Sequence, residues 1–281
     1  MNRTRLGMSR TRLVILVALS AVPLSMVSAS AASAKTTISM SGSTSIAPLA
    51  TQLAQAFVKE PAYRGKVGFR IFQGGSDVGI TDVSRGRVSI GNSSRDPKPA
   101  DPSGIVFNKI AKDAVCVVTN RENPISNLSQ NQIQDIFSGK IRTWSKVPGA
   151  GVSGTIDLVV RTPASGTQDA FQNIFMGQTL RVAGSATTKS SNGLQAQAIK
   201  SNPNAIGYAS FNFTDGLYDV PYAGNQCNLR NAKAGTYGGV RNFFMVTRGK
   251  ATGATKAFIR FIRRSSKAKN ITNTNWVALR G

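Results

Sequence analysis

Hydrophobic positions along the chain alternate between two periods, and each change of period falls at a cluster of glycine and hydroxyl residues. Residues 37–40 alternate as a half-buried strand does, and the turn Ser41-Gly42-Ser43-Thr44-Ser45-Ile46-Ala47-Pro48 follows. Leu49, Leu53, Ala56 and Phe57 then share one helical face, with Pro48 suited to the first turn and Pro61 and Gly65 to the stop. Val67, Phe69 and Ile71 predict a second strand, which ends in Gln73-Gly74-Gly75-Ser76-Asp77 and opens a helix through Ile80 and Val83. A short third strand over residues 88–90 runs into Gly91-Asn92-Ser93-Ser94-Arg95.

Beyond the proline-rich loop at 97–102, residues 105–112 lead to the unbroken apolar run 114–118, the pattern of a strand buried on both faces. A first domain crossing is placed there. Ser129 suits the cap of a helix whose inner face is Ile133, Ile136 and Phe137, with Gly139 at its end. Further on, a helix is expected around residues 194–199 and a turn into a short strand around 204–208. The stretch 237–246 returns the chain to the first domain, and Ala257, Phe258, Phe261 and Ile262 mark a closing amphipathic helix. The expected division is 35–118 with 238–281 as one lobe and 119–237 as the other.

The second lobe contains a strand over 156–160, broken by Pro163 and Gly166, with Phe171, Ile174 and Phe175 recurring at helical spacing behind it. Ser165 or Thr167 suits the cap. A helix start leaves backbone N–H groups unpaired and carries partial positive charge, so hydroxyls, a glycine and Arg161 together suit a phosphate-like anion. The plainer alternative is a capped helix whose Arg161 is solvated or paired with Asp169. Strands in open α/β sheets deliver ligand loops at their carboxyl ends, and four Gly/Ser/Thr loops of this kind recur here.

Composition narrows the picture. Residues 1–34 carry four arginines and no acid, an apolar stretch and Ala32-Ser33-Ala34, the pattern of a cleaved export signal with no lipid-anchoring cysteine at the cleavage point. Removing them takes the net charge from +23 to +19, which favours anionic partners without choosing among them. The denser basic run at Arg260, Arg263, Arg264, Lys267 and Lys269 lacks interleaved aromatics and reads as a solvated helix face, so no nucleic acid is expected. The chain has no histidine, which excludes imidazole-based catalysis and removes the usual zinc ligands. Cys116 and Cys227 are the two cysteines, a disulfide or two buried thiols.

Taken together, Gly42-Ser43-Thr44-Ser45-Ile46-Ala47-Pro48, Gln73-Gly74-Gly75-Ser76, Ile90-Gly91-Asn92-Ser93-Ser94-Arg95, Ile136-Phe137-Ser138-Gly139-Lys140 with Trp144, Arg161 with Ser165-Gly166-Thr167, and Ala205-Ile206-Gly207-Tyr208 resemble the PstS-like phosphate-binding proteins, in family order. The resemblance implies an α/β, two-lobed periplasmic-binding-protein fold of type II, with two crossover hinge segments and a ligand cleft between the lobes. It implies phosphate contacts from Ser43, Thr44, Ser45, Ser76, Ser94, Arg95, Arg161, Ser165, Gly166 and Thr167. It also implies no cofactor, no metal and no catalysis, a monomer, and delivery of inorganic phosphate to a membrane ABC permease from a periplasmic or wall-associated position. Two departures stand out. The third loop carries Asn92-Ser93-Ser94-Arg95 where some members have an acid that accepts the ligand proton and rejects sulfate, leaving Asp77 and Asp169 as stand-ins; and Gln168 follows Ser-Gly-Thr where many have arginine.

Two other functions fit the same residues less well. A secreted phosphatase using the cleft would want a metal, a strong nucleophile or an acid–base pair, and the chain offers 12 acids and no histidine. A polyanion-binding surface protein would bind with steep salt dependence and survive mutation of the cleft.

Overall fold

In the computed structural model, which describes Met1 and residues 35–279, strand β1 (Thr36–Gly42) lies between two parallel neighbours, β2 (Val67–Ile71) and β3 (Ile90–Ser93). Met1 aside, the predicted export segment lies outside the described residues. Helix α1 (Ala47–Phe57) connects β1 to β2 and has its proline in the first turn; α2 (Ser76–Ser84) connects β2 to β3. The third strand sits later than its apolar residues suggested. Gly91, Asn92 and Ser93 are poor strand formers, but each is paired between β1 or β9 (Val240–Arg248) and held there by neighbours rather than by propensity.

Strand β4 (Ile105–Thr119) is one element spanning the two apolar stretches read from the sequence. Ile105 to Ala114 run antiparallel to β9, with an irregularity between Lys109 and Ala111, whereas Val115 to Thr119 pair with β7 (Ala205–Ser210). The ladder changes partner between Ala114 and Val115. β7 in turn pairs in parallel with β5 (Asp157–Arg161), and β5 with β6 (Thr187–Lys189), giving the order β2-β1-β3-β9-β4-β7-β5-β6. Short strands β8 (Tyr218–Asp219) and β10 (Val277–Ala278) add to β4.

Helices cover the sheet faces as their apolar stripes require. Helix α3 (Gln130–Phe137) carries a capping box between Ser129 and Gln132 and buries Ile133, Ile136 and Phe137. Helix α4 (Gly166–Phe171) continues as a π-helical turn, Gln172–Met176, that brings Phe175 into the same core. Then come α5 (Asn192–Lys200), α6 (Leu229–Ala234), α7 (Gly253–Arg264) and α8 (Ser266–Asn275). Ile38, Met40, Leu53, Phe57, Phe243 and Phe258 form the core beside β1, whereas Val115, Phe137, Trp144, Phe171 and Tyr208 form another beside β5 and β7.

Two details position the loops. Gly79 of α2 lies against β1, where a Cβ would meet Ser41 O at 2.7 Å, and a Cβ on Gly91 would meet Gly79 O at 2.2 Å. Backbone contact of this kind excludes larger residues and sets Ser76, at the start of α2, beside the third loop. Cys116 and Cys227 form a disulfide across a separation of 111 residues. Replacing both by alanine is expected to cost about 2–5 kcal/mol, read as a lower urea midpoint, with the same loss on reduction of the native protein.

Candidate functional site

The carboxyl ends of β1, β2, β3 and β5 converge, and the loops leaving them bury an unusual number of hydroxyls. Ser43, Thr44, Ser45, Ser76, Ser94, Ser165 and Thr167 are all at most 5% exposed, and Gly166 is buried with them. From the first loop, Ser43 Oγ donates to Ser94 Oγ at 2.8 Å, and Ser45 Oγ meets Thr167 Oγ1 of α4 at 3.0 Å. Ser76 Oγ accepts from the Ser94 N–H at 3.0 Å. Gly166 packs so closely that a Cβ would lie 2.2 Å from Ser76 Oγ and 2.6 Å from Ser94 Oγ. Ser165 acts differently, its Oγ accepting from the backbone N–H groups of Thr167 and Gln168 and so capping α4.

Arg161 closes the cluster from the end of β5. It is 2% exposed, and its guanidinium donates to the carbonyls of Lys189 and Ser190 and, at 3.4 Å, to Thr44 Oγ1. Among the described residues no carboxylate pairs with it, and its Nη1 is buried without a partner. Burial pushes its pKa down to about 10, with Tyr208 opposing the shift and Arg241 adding to it. A buried, uncompensated guanidinium is costly on its own and suits a site whose occupant is an anion. Both plainer readings of Arg161 are thereby replaced, since it is neither solvated nor paired with Asp169.

Three contributors were not singled out from the sequence. Asn192, at the start of α5, donates from Nδ2 to both Thr44 Oγ1 and Ser45 Oγ at 2.8 Å. Arg241 of β9 donates to Ser45 Oγ at 2.8 Å and to Thr167 Oγ1 at 2.9 Å, so one guanidinium serves loops from both halves of the sheet. Asp113 of β4 holds Arg241 at 2.7 Å and accepts from Ser210 at 2.8 Å. Burial works against both charges, raising the pKa of Asp113 and lowering that of Arg241, and their contact opposes it. A signal was present: Asp113 is the one acid of β4 and stands directly before its apolar run, and Arg241 faces it in register on β9.

Arg95 is buried, but its guanidinium is directed to Asp77, at 2.7 Å, and to Asp101 rather than to the hydroxyls. Burial alone would depress its pKa, and the hydrogen bonds to Asp101 and Asp77 outweigh that and raise it. Asp77 is therefore occupied as a counter-ion. Asp169 pairs with Lys98 and Asn173, so neither acid considered as a proton acceptor reaches the cluster. Gln168 accepts from the Tyr208 hydroxyl, which also takes the Arg161 N–H at 3.0 Å. The loops also touch through backbone alone, Asp77 N–H donating to Ala164 O at 3.1 Å.

The arrangement offers hydroxyls and the Arg161 guanidinium to a small tetrahedral anion, with the Arg241 guanidinium spent on Asp113 and on orienting the hydroxyls. Among the described residues no group of three or more His, Cys, Asp or Glu stands together as a metal site, and no helix is long and apolar enough to cross a membrane.

Comparison with known proteins bears on the family and the fold. A family model described as a PBP superfamily domain matches residues 27–265. The phosphate-binding protein PstS of Bacillus subtilis is 27% identical over 239 residues, covering 83% of this chain and 77% of its own length. Among solved structures, a protein assigned as a phosphate ABC transporter substrate-binding protein from Clostridium perfringens, with bound phosphate, is 30% identical. It superposes with a TM-score of 0.80 over 87% of this chain and 100% of its own. An ABC-type phosphate transport receptor from Vibrio cholerae is 26% identical, with a TM-score of 0.70 over 86% of this chain and 100% of its own.

Proposed function

Because the chain belongs to the PstS-like phosphate-binding proteins of the PBP superfamily, with their two-lobed fold, we propose that its buried hydroxyl and guanidinium cluster captures inorganic phosphate for delivery to an ABC permease. The observation that carries this reading is Arg161, a guanidinium 2% exposed with one η nitrogen unpartnered and no carboxylate beside it. The ligands are Ser43, Thr44, Ser45, Ser76, Ser94, Arg161, Gly166 and Thr167. Ser165 serves by capping α4, and Arg95 braces the third loop through Asp77 and Asp101. Arg241 and Asn192 join the cluster by orienting hydroxyls.

Capture works by closure of two lobes. Residues 35–118 and 238–281 form one and 119–237 the other, and donors from both are satisfied together only when the loops meet, so ligand shifts the population toward closure. No bond is broken: the relatives bearing this fold are substrate-binding proteins, and the cluster presents donors without a general base. The protein acts as an exported monomer, held outside the membrane without a covalent lipid, and its basic charge steers phosphate rather than nucleic acid. Calorimetric titration with phosphate is expected to show one site per chain with a dissociation constant of about 1 μM or tighter, near −8 kcal/mol. No heat at millimolar phosphate would sink the reading.

A further inference from the structure

The hydroxyls of the cluster are not equivalent. A hydroxyl oxygen accepts at most two hydrogen bonds and donates one. Thr44 Oγ1 already accepts from Asn192 at 2.8 Å and from Arg161 at 3.4 Å, and Ser45 Oγ accepts from Asn192 at 2.8 Å and from Arg241 at 2.8 Å. Guanidiniums only donate. The orientation of the Asn192 amide follows from its Oδ1, which takes the backbone N–H of Ser210 at 3.4 Å and so turns Nδ2 toward the hydroxyls. Thr44 and Ser45 therefore have only their protons left to offer.

The consequence passes to Thr167. Its contact with Ser45 at 3.0 Å has no donor assigned by distance, but Ser45 can only donate, so Thr167 accepts there as well as from Arg241 at 2.9 Å. Ser45 spends its one proton on Thr167, so Thr44 and Thr167 are the hydroxyls left with a proton and no lone pair. The third-loop side differs. Ser94 Oγ accepts one bond, from Ser43 at 2.8 Å, and shares a 3.3 Å contact with Ser76 in which either is the donor. Ser76 Oγ accepts one, from the Ser94 N–H. Whichever of the two donates in that contact, one lone pair and one proton are left between them. The buried acid of the site, Asp113, is bonded to Arg241 and Ser210 and touches the hydroxyls only through that guanidinium.

We infer that the cluster is divided by hydrogen-bond polarity: Thr44 and Thr167, fixed as donors by Asn192, Arg161, Ser45 and Arg241, receive only ionised ligand oxygens, and the third-loop side, Ser94 with Ser76 and Ser43, supplies the acceptor for a protonated one. Ser94 is thereby a specificity-determining residue, and Arg241 and Asn192 are positioning residues. This rests on the phosphate reading and refines it. A hydroxyl can turn to donate, as a carboxylate cannot, so the site also takes sulfate, which carries no proton.

The test is calorimetry of phosphate and sulfate on the native protein and on Ser94→Ala and Thr44→Val, with unfolding midpoints recorded without ligand. Ser94→Ala leaves the ligand O–H without an acceptor and is expected to lower the phosphate-to-sulfate affinity ratio by at least about fivefold, whereas Thr44→Val weakens both anions alike and leaves the ratio within about twofold. Ser76→Ala is expected to move the ratio in the Ser94 direction and decides the matter where Ser94→Ala unfolds. The inference is overturned by ratios that stay unchanged in the serine variants, by an equal shift in Thr44→Val, or by a native protein that takes phosphate and refuses millimolar sulfate. Failure of the native protein to bind phosphate at all counts instead against the functional reading.

Discussion

Arg161→Met is expected to weaken phosphate binding by about 10²–10⁴-fold, the 3–5 kcal/mol scale of removing one partner from a buried charge pair. The same change should leave the unliganded protein no less stable. Its guanidinium is buried, unpaired by any acid and shifted down to about 10 in pKa, so folding works against that charge, and methionine fills a similar length without it. Calorimetry and urea unfolding on one preparation separate the two effects. A large loss of stability in the absence of phosphate would show Arg161 to be structural instead.

Arg241→Met should do the reverse, destabilising the fold by about 3–5 kcal/mol at neutral pH, because Asp113, 1% exposed, is left as an uncompensated buried carboxylate. Changing both residues, as in Arg241→Met with Asp113→Leu, should recover most of that loss, since an apolar pair of similar volume has no charge to bury. The sign of the pH dependence is fixed by the direction of the shift. Burial raises the folded-state pKa of Asp113 above its unfolded value, so in the single variant the folded state binds the extra proton and stability falls as pH rises through that window. Urea unfolding should therefore show a larger deficit near about pH 8 than near about pH 5, and a deficit independent of pH would refute the orphaned-carboxylate account.

Most of what positions the cluster was legible because it is local. The strand–turn–helix units at Ser43, Ser76 and Ser165 are written in period, turn chemistry and caps, all of which act over a few residues. What escaped depends on pairing between distant residues. The third strand was displaced because its glycine, asparagine and serine are held by neighbours on both sides, and α6, α8 and the short β6, β8 and β10 have too few apolar positions to show a period. Arg95 read as a ligand because it sits beside Ser94; that its charge is consumed by Asp77 and Asp101 is a matter of loop geometry. Arg241 lies 128 residues from Asp113, inside a stretch read only as the return to the first domain.

The change of partner along β4 has a mechanical corollary. At this crossing between the two halves of the sheet, movement of one against the other passes through residues hydrogen-bonded to β9 as far as Ala114 and to β7 from Val115 onward. Winding such a ribbon about its own axis keeps its ladder bonds, so the closure proposed above is expected to proceed by torsion. The bridge from Cys116, one residue past that change, ties the ribbon to Cys227, 111 residues along the chain. Arg241 and Asp113 pair across that ribbon, so in the closure proposed above the pair that orients the hydroxyls also sits on the axle.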